Sequence, residues 1–436
     1  MRYVAGIAFL LLVGLTTGAT LLAYSALAIL AIFAASQFLT QKWSESVVVQ
    51  RQLMSHEIEV GQRLQVGIVV KNSSRWFIPW VVVEDVLPPR SIRLPPKALA
   101  VDGSPIRLVM LGPQKQRLLT YAIKALRRGY YQIGPTIVET GDLLGLHRRY
   151  RVATAPHYLL VLPRLIPLAG YDVGSRRPIG EIQVAYRTME DPTLLSGIRE
   201  YQSGDSMNRV HWRATARTGK LHSKIFQPTS VAGAMLLLDL HRNSNPDHHE
   251  PNRTDLAVTA VASIAHTLYS MKQQFGLVTN GRDAADRINS EGWETDFRSR
   301  DAVIQVTQAE VRNSRLRPIV LSCNRGPEQF QEMHRLLARL ERTDGLEFPS
   351  LILETQSRLP RDASIIVVIQ SIDDYASLAL GLLAKRGYTI SAIINQFEQE
   401  AFHEASARLL AQRIPVYHLK DESSIPGICQ KILLRY

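Results

Sequence analysis

The chain has 436 residues, 46% of them hydrophobic, and a net charge of +12 from 51 Lys and Arg against 39 Asp and Glu. This apolar content excludes a disordered chain, and the length exceeds one ordinary core, so about three folded units are expected. The positive balance suits nucleic acid, anionic headgroups or acidic proteins without choosing among them.

Tyr3 through Leu39 contains no Asp, Glu, Lys or Arg. One helix of that length would run about 55 Å against an ~30 Å hydrocarbon core, so two spans joined near Thr16-Thr17-Gly18 are expected. A cleaved signal peptide accounts for Arg2 and the apolar stretch to Leu15, but leaves the longer stretch Thr20 to Leu39 unexplained. Residues 1–42 therefore read as a transmembrane hairpin embedded through residues 3–39. Its flanking cations, Arg2, Lys42 and Arg51, lie outside the turn. The positive-inside rule then predicts an inner-membrane, multi-pass protein whose later domains face the cytoplasm.

Over residues 43–163, runs such as LQVGIVV, WVVVEDVLP and LLTYAIKAL are separated by Asn72-Ser73-Ser74, Pro88-Pro89 and Asp102-Gly103. That spacing predicts a small antiparallel β-sandwich. RRGYYQIGPTIVETGDLLGL adds two strands around a Gly-Pro turn, with Arg127 and Arg128 read as surface or domain-contact charge. Regular periodicity fades after Arg164 among several Pro and Gly, so residues 164–230 read as a connector carrying one unusual stretch.

Residues 231–436 alternate apolar runs with amphipathic stretches. Ala232–Leu240, Pro318–Ser322, Ser364–Gln370, Tyr388–Asn395 and Pro415–Leu419 read as strands. Thr254–Phe275, Pro327–Arg342, Asp373–Arg386 and Phe397–Ala411 read as helices, with Arg335, Arg339 and Arg342 on a wet face. The alternation predicts a doubly wound, mainly parallel α/β sheet, whose first strand ends at Asp239, where such folds place ligands.

The unusual stretch is Gly197 to Phe226, GIREYQSGDSMNRVHWRATARTGKLHSKIF. A catalytic reading would enlist Asp205, His211 and Ser206, yet triads are assembled by geometry from distant segments. The chain also lacks a Gly-x-Ser-x-Gly elbow, a P-loop and a His-Glu-x-x-His helix, so no enzyme is expected. A nucleic-acid reading would use Tyr201 and Trp212 for stacking, but Glu200 and Asp205 would repel phosphate. An ionic network uses every unusual residue: Glu200 and Asp205 paired with Arg199, Arg209, Arg213 and Arg217, Trp212 packed into the junction, and Gly204 in a tight turn. Such a network is expected to lock the sandwich against the first α/β strand. Asp247-His248-His249-Glu250 resembles metal ligands but falls among Asn and Pro and reads as a solvated loop.

Gly197, Arg199, Glu200, Tyr201, Gly204, Asp205, Arg209, Trp212, Arg213, Ala214, Ala216 and Arg217 together resemble the signature of the DUF58 family, a domain of unknown function. The rest of the chain is similar to the family's plan: a membrane hairpin, a β-rich segment with Arg-Arg-Gly-x-Tyr and Gly-Asp-x-x-Gly-Leu elements, and a von Willebrand factor A-like domain. The resemblance implies a membrane-anchored protein-interaction or assembly factor, working with a MoxR-type AAA+ ATPase on an envelope-associated complex. Anionic-polymer binding, to nucleic acid or an acidic lipid surface, is the alternative, followed by an uncharacterised enzyme. Metal-binding von Willebrand A domains carry Asp-x-Ser-x-Ser after the first strand, whereas this chain has Asp239, His241 and Asn243 there. Imidazole suits a hard cation poorly and Arg242 adds positive charge, so neither Mg²⁺ nor another cofactor is expected.

Overall fold

The longer apolar stretch, from Thr20, folds as helix α1 (Thr20–Ser46), the described helix long and apolar enough to cross a membrane. The computed structural model describes residues 12–143, 145–168, 189–202, 210–229, 233–291, 316–360 and 363–428, with Gly6, Phe9 and Met207. They form a mixed α/β chain of several sheets in two compact units, Met1–Leu162 and Pro163–Tyr436. Residues 12–16 are helical; Thr17 N–H then donates to the Val13 carbonyl at 3.0 Å, and Gly18 takes φ +68° just before α1.

In the first unit α1 runs through Lys42 and packs its last third on the strands that follow. Ser36, Thr40, Trp43 and Ser44 are buried at helical spacing. The strands are β1 (Val47–Leu53), β2 (Glu57–Glu59), β3 (Arg63–Asn72), β4 (Ile78–Asp85), β5 (Leu99–Asp102), β6 (Ile106–Leu111), β7 (Gln116–Ala125), β8 (Gly129–Ile133), β9 (Thr136–Gly141), β10 (Arg148–Thr154) and β11 (His157–Leu162), with a short helix α2 (Pro89–Arg93) after β4. Two four-stranded sheets, β1-β3-β7-β5 and β10-β9-β4-β6, and a three-stranded sheet, β2-β11-β8, enclose one core. Alternation explains the packing: Leu64, Val66, Ile68 and Val70 of β3 all point inward. Although β8 and β9 adjoin in sequence, they do not pair; β8 pairs with β11, and β9 with β4 and β10. Arg128, expected as surface or domain-contact charge, is buried.

A buried ion pair crosses this sandwich. Arg51 of β1 and Asp85 of β4 have fully buried side chains in direct contact. Arg51 Nε donates to Asp85 Oδ2 at 3.2 Å, and Nη2 donates to Thr136 Oγ1 at 2.7 Å. Tyr121 Oη and Thr136 Oγ1 donate to Asp85 at 2.5 and 3.1 Å. Gly134 is demanded by this network, because a Cβ there would collide with the Arg51 guanidinium.

The second unit begins inside its own core: Leu165, Ile166 and Leu168 pack against the sheet's apolar face, and Ile166 N–H donates to Ser263 Oγ at 3.0 Å. Strand β12 (Met189–Glu200), helix α3 (Trp212–Thr218) and strand β13 (His222–Thr229) carry the charged stretch, so the irregular connector does not extend to its end. Next come β14 (Gly233–Leu238), α4 (Asn252–Ser270), β15 (Gln274–Thr279), β16 (Arg282–Asp283), α5 (Ala284–Glu291), β17 (Ile319–Asn324), α6 (Pro327–Arg339), β18 (Leu340–Glu341), α7 (Phe348–Thr355), β19 (Ala363–Ile369), α8 (Asp374–Lys385), β20 (Ile390–Ile394), α9 (Gln399–Leu410) and β21 (Val416–His418).

The main sheet has the order β17-β15-β14-β19-β20-β21, parallel except for β17. Both faces of β14 are covered: Ala234, Leu236 and Leu238 meet the layer of α4 and α6, while Met235 and Leu237 meet that of α7, α8 and α9. The helix expected to reach Phe275 ends at Ser270, and Gln274–Thr279 is strand β15. Only Met271-Lys272-Gln273 separates the apolar helix from the apolar strand, a break short enough to be read as one polar turn of a longer helix.

Candidate functional site

The charged stretch folds as a ribbon closed by a short helix. β12 pairs with β13 antiparallel, placing Arg199 opposite Ser223 and Glu200 opposite His222. Tyr201 N–H continues the pairing to the Leu221 carbonyl at 2.9 Å. Val210 forms an isolated antiparallel bridge to Ser223. His211 caps α3 by accepting from Ala214 N–H at 3.0 Å, and Gly219 ends the helix at φ +73°.

Seven residues between two such turns leave α3 no buried face. Trp212, expected to pack into a junction, is 65% exposed, and Arg213 and Arg217 are also exposed. Glu200 pairs with Lys220 at 3.3 Å, a solvent-facing pair of small energetic weight. Glu200, Trp212, Arg213 and Arg217 of the expected network thus stand on a surface that combines an indole with cations, while Arg199 is half-buried. Gly204, Asp205 and Arg209 lie outside the described residues.

The carboxyl end of β14 is built differently. Strand order reverses between β14 and β19, which makes Asp239 and Gln370 neighbours of the topological switch point. Asp239 is buried, and its carboxylate is filled by neutral donors: Asn280 Nδ2 at 2.7 Å, His241 N–H at 3.0 Å and the Ser244 hydroxyl. Burial raises its carboxyl above the ordinary carboxylate range, against the lowering by those hydrogen bonds.

His241 is buried and accepts from Asn243 N–H at 3.2 Å, while Asn243 Nδ2 donates to Glu347 at 3.3 Å. Ser371 Oγ closes the loop further by donating to the Ser244 carbonyl at 2.9 Å. Asp373 caps α8, accepting from Ala376 N–H at 2.8 Å. Sequence reading missed Asn280 and Ser244, which no motif marks.

Arg342, expected on a helix face, lies beyond the end of α6 at Arg339 and holds this loop from the side. It donates to the Asn245 carbonyl at 2.8 Å and to Asp247 at 2.7 Å. Among the described residues, no group of three or more His, Cys, Asp or Glu is arranged to hold a metal ion.

An apolar N-terminal helix and a doubly wound sheet preceded by a charged ribbon describe the class of chain. Within it, residues 197–306 match the family described as "Protein of unknown function DUF58". The uncharacterized protein YeaD of Bacillus subtilis (strain 168) is 25% identical over 240 residues, 55% of this chain and 57% of that protein, so little more than half of that relative is spanned.

Solved structures align with parts of the chain. The CARDB domain of a Pyrococcus furiosus protein, 16% identical, covers 27% of this chain and 87% of its own with a TM-score of 0.19. Proximal thread matrix protein 1 from the mussel byssus, 10% identical, covers 46% of each chain with a TM-score of 0.30.

Proposed function

We propose that this chain is a membrane-anchored protein-interaction factor whose α/β unit, von Willebrand A-like in its strand order, docks a MoxR-type AAA+ ATPase during assembly of an envelope-associated complex. The observation that carries the reading is the outer face of α8. Its inner residues Ala376, Leu380 and Leu383 are buried, yet Tyr375, Leu378 and Leu382 are 76%, 55% and 55% exposed at helical spacing. An apolar stripe on the surface of a soluble unit marks an interaction face.

Anchoring by a hairpin is supported by the turn at Gly18 and by Gly14, where a Cβ would stand 2.9 Å from the Ala23 backbone nitrogen of α1. Lys42 and Arg51 then set the later units on the cytoplasmic side of the inner membrane. The saturated carboxylate of Asp239 supports binding without a metal.

Chemical crosslinking in native membranes tests the reading. The wild type is expected to capture an AAA+ ATPase of MoxR type, and Leu378→Glu/Leu382→Glu to lose it while melting at the wild-type temperature. Equal capture by both proteins, or capture of no ATPase by either, overturns the proposal.

Exposed Trp212 beside Arg213 and Arg217 favours one second reading, an anionic-polymer surface on α3. It predicts retention on heparin that falls steeply with salt and weakens in Arg213→Glu/Arg217→Glu. Salt-insensitive or unchanged retention excludes it. Because α3 buries no side chain, the double substitution should change unfolding by no more than about 0.5 kcal/mol.

A further inference from the structure

The turn between β9 and β10 has a physical reason for each of its specified residues. A Cβ on Gly141 would stand 2.5 Å from the His147 carbonyl oxygen and 2.7 Å from the Trp80 ring. Asp142 accepts from His147 N–H at 2.8 Å and donates its own N–H to the His147 carbonyl at 3.2 Å. Trp80 Nε1 donates to the Asp142 carbonyl at 3.3 Å, and Gly145 takes φ +73°. Held in this way, Leu143 and Leu146 point into solvent, 77% and 52% exposed.

Helix α1 sets the height of this turn. His147 Nδ1 lies 3.1 Å from Ser36 Oγ, and its ring is 4.4 Å from that of Phe33. Both partners lie within the uncharged run that ends at Leu39. Spanning a bilayer takes about 20 residues, so an α1 that begins at Thr20 stays in hydrocarbon to the neighbourhood of Leu39. At 1.5 Å per residue, Ser36 and Phe33 fall about 5–9 Å inside that limit, and a turn touching them is level with the headgroup–acyl boundary. Cations stand beside it: exposed Arg148, Lys42 on α1, and Arg149, which donates to Gln41 at 3.4 Å.

We infer that Leu143 and Leu146 form a second, monotopic membrane contact, inserted into the leaflet from which α1 emerges, with Arg148, Arg149 and Lys42 set against phospholipid phosphates. The inference rests on the reading of α1 as a membrane span. It makes the sandwich a body seated on the bilayer rather than one tethered above it.

The test uses the full chain with Cys323→Ser and Cys429→Ser, reconstituted in phosphatidylcholine and phosphatidylglycerol vesicles. Single sites Leu143→Cys, Leu27→Cys on α1 and Met54→Cys just beyond the far end of β1 carry an environment-sensitive fluorophore. Position 143 is expected to emit to the blue of position 54 and to be quenched several-fold more by lipids carrying a shallow nitroxide. Quenching at 27 with a water-like signal at 143 overturns the insertion and leaves the span standing. A water-like signal at 27 removes the span and the insertion together.

Discussion

Asp85→Ala is expected to unfold the N-terminal unit more readily by about 3–5 kcal/mol, because it leaves the fully buried guanidinium of Arg51 without its counter-charge. Arg51→Met should cost a similar amount by stranding the carboxylate. The double variant Arg51→Met/Asp85→Leu should be less unstable than the sum of the singles, since replacing a buried pair by apolar groups removes two desolvation costs as well as one attraction. Hydrogen exchange of β1, β3 and β4 amides in detergent-solubilised full chain reads this locally. Additive losses would mean that the two side chains do not depend on each other.

Tyr121 gives the same network a signature in pH. Burial first, and the Asp85 carboxylate next, push its hydroxyl far above the ordinary range, so it remains a neutral donor. The folded value lies above the unfolded one. The contribution is therefore complete below about pH 10 and is lost as the pH rises beyond it. Wild type should weaken there by up to about 1.4 kcal/mol per pH unit relative to Tyr121→Phe, and parallel alkaline profiles would refute the coupling.

Asp239→Ala is the second large effect expected, a loss of about 2–4 kcal/mol from leaving the Asn280 amide and Ser244 hydroxyl short of an acceptor. Millimolar Mg²⁺ or a chelator should leave wild-type unfolding of the α/β unit unchanged. A Mg²⁺-dependent rise in Tm that disappears in Asp239→Ala would instead make the carboxylate a ligand. Since burial raises the folded pKa, the Asp239 contribution is full below about pH 3.9 and is lost as pH rises through the folded value. Wild-type stability relative to Asp239→Asn should therefore decline across that interval.

Much of the α/β unit was legible in the sequence. The expected run Ser364–Gln370 matches strand β19 with a one-residue offset, and Tyr388–Asn395 contains strand β20. The sandwich was legible because its alternation is strong. The candidate site was less so: Arg213 and Arg217 share a residue type with Arg51, yet they stand in solvent while Arg51 is buried. Residue type alone does not report burial. His241 and Asn243 were noticed as departures from a motif, but their function as hydrogen-bonding loop residues depends on Glu347 and on their own backbone geometry.

The sequence by itself determined an uncharged span, alternating strands, amphipathic helices and a matched signature, because each is written in neighbours a few residues apart. Tertiary structure decided that β8 turns away from β9, that Arg51 meets Asp85 across 34 positions, and that Asn280 reaches Asp239 across 41. These pairings follow from which strands become neighbours and which charges lose their water, and loop closure over such distances leaves no local periodicity to read.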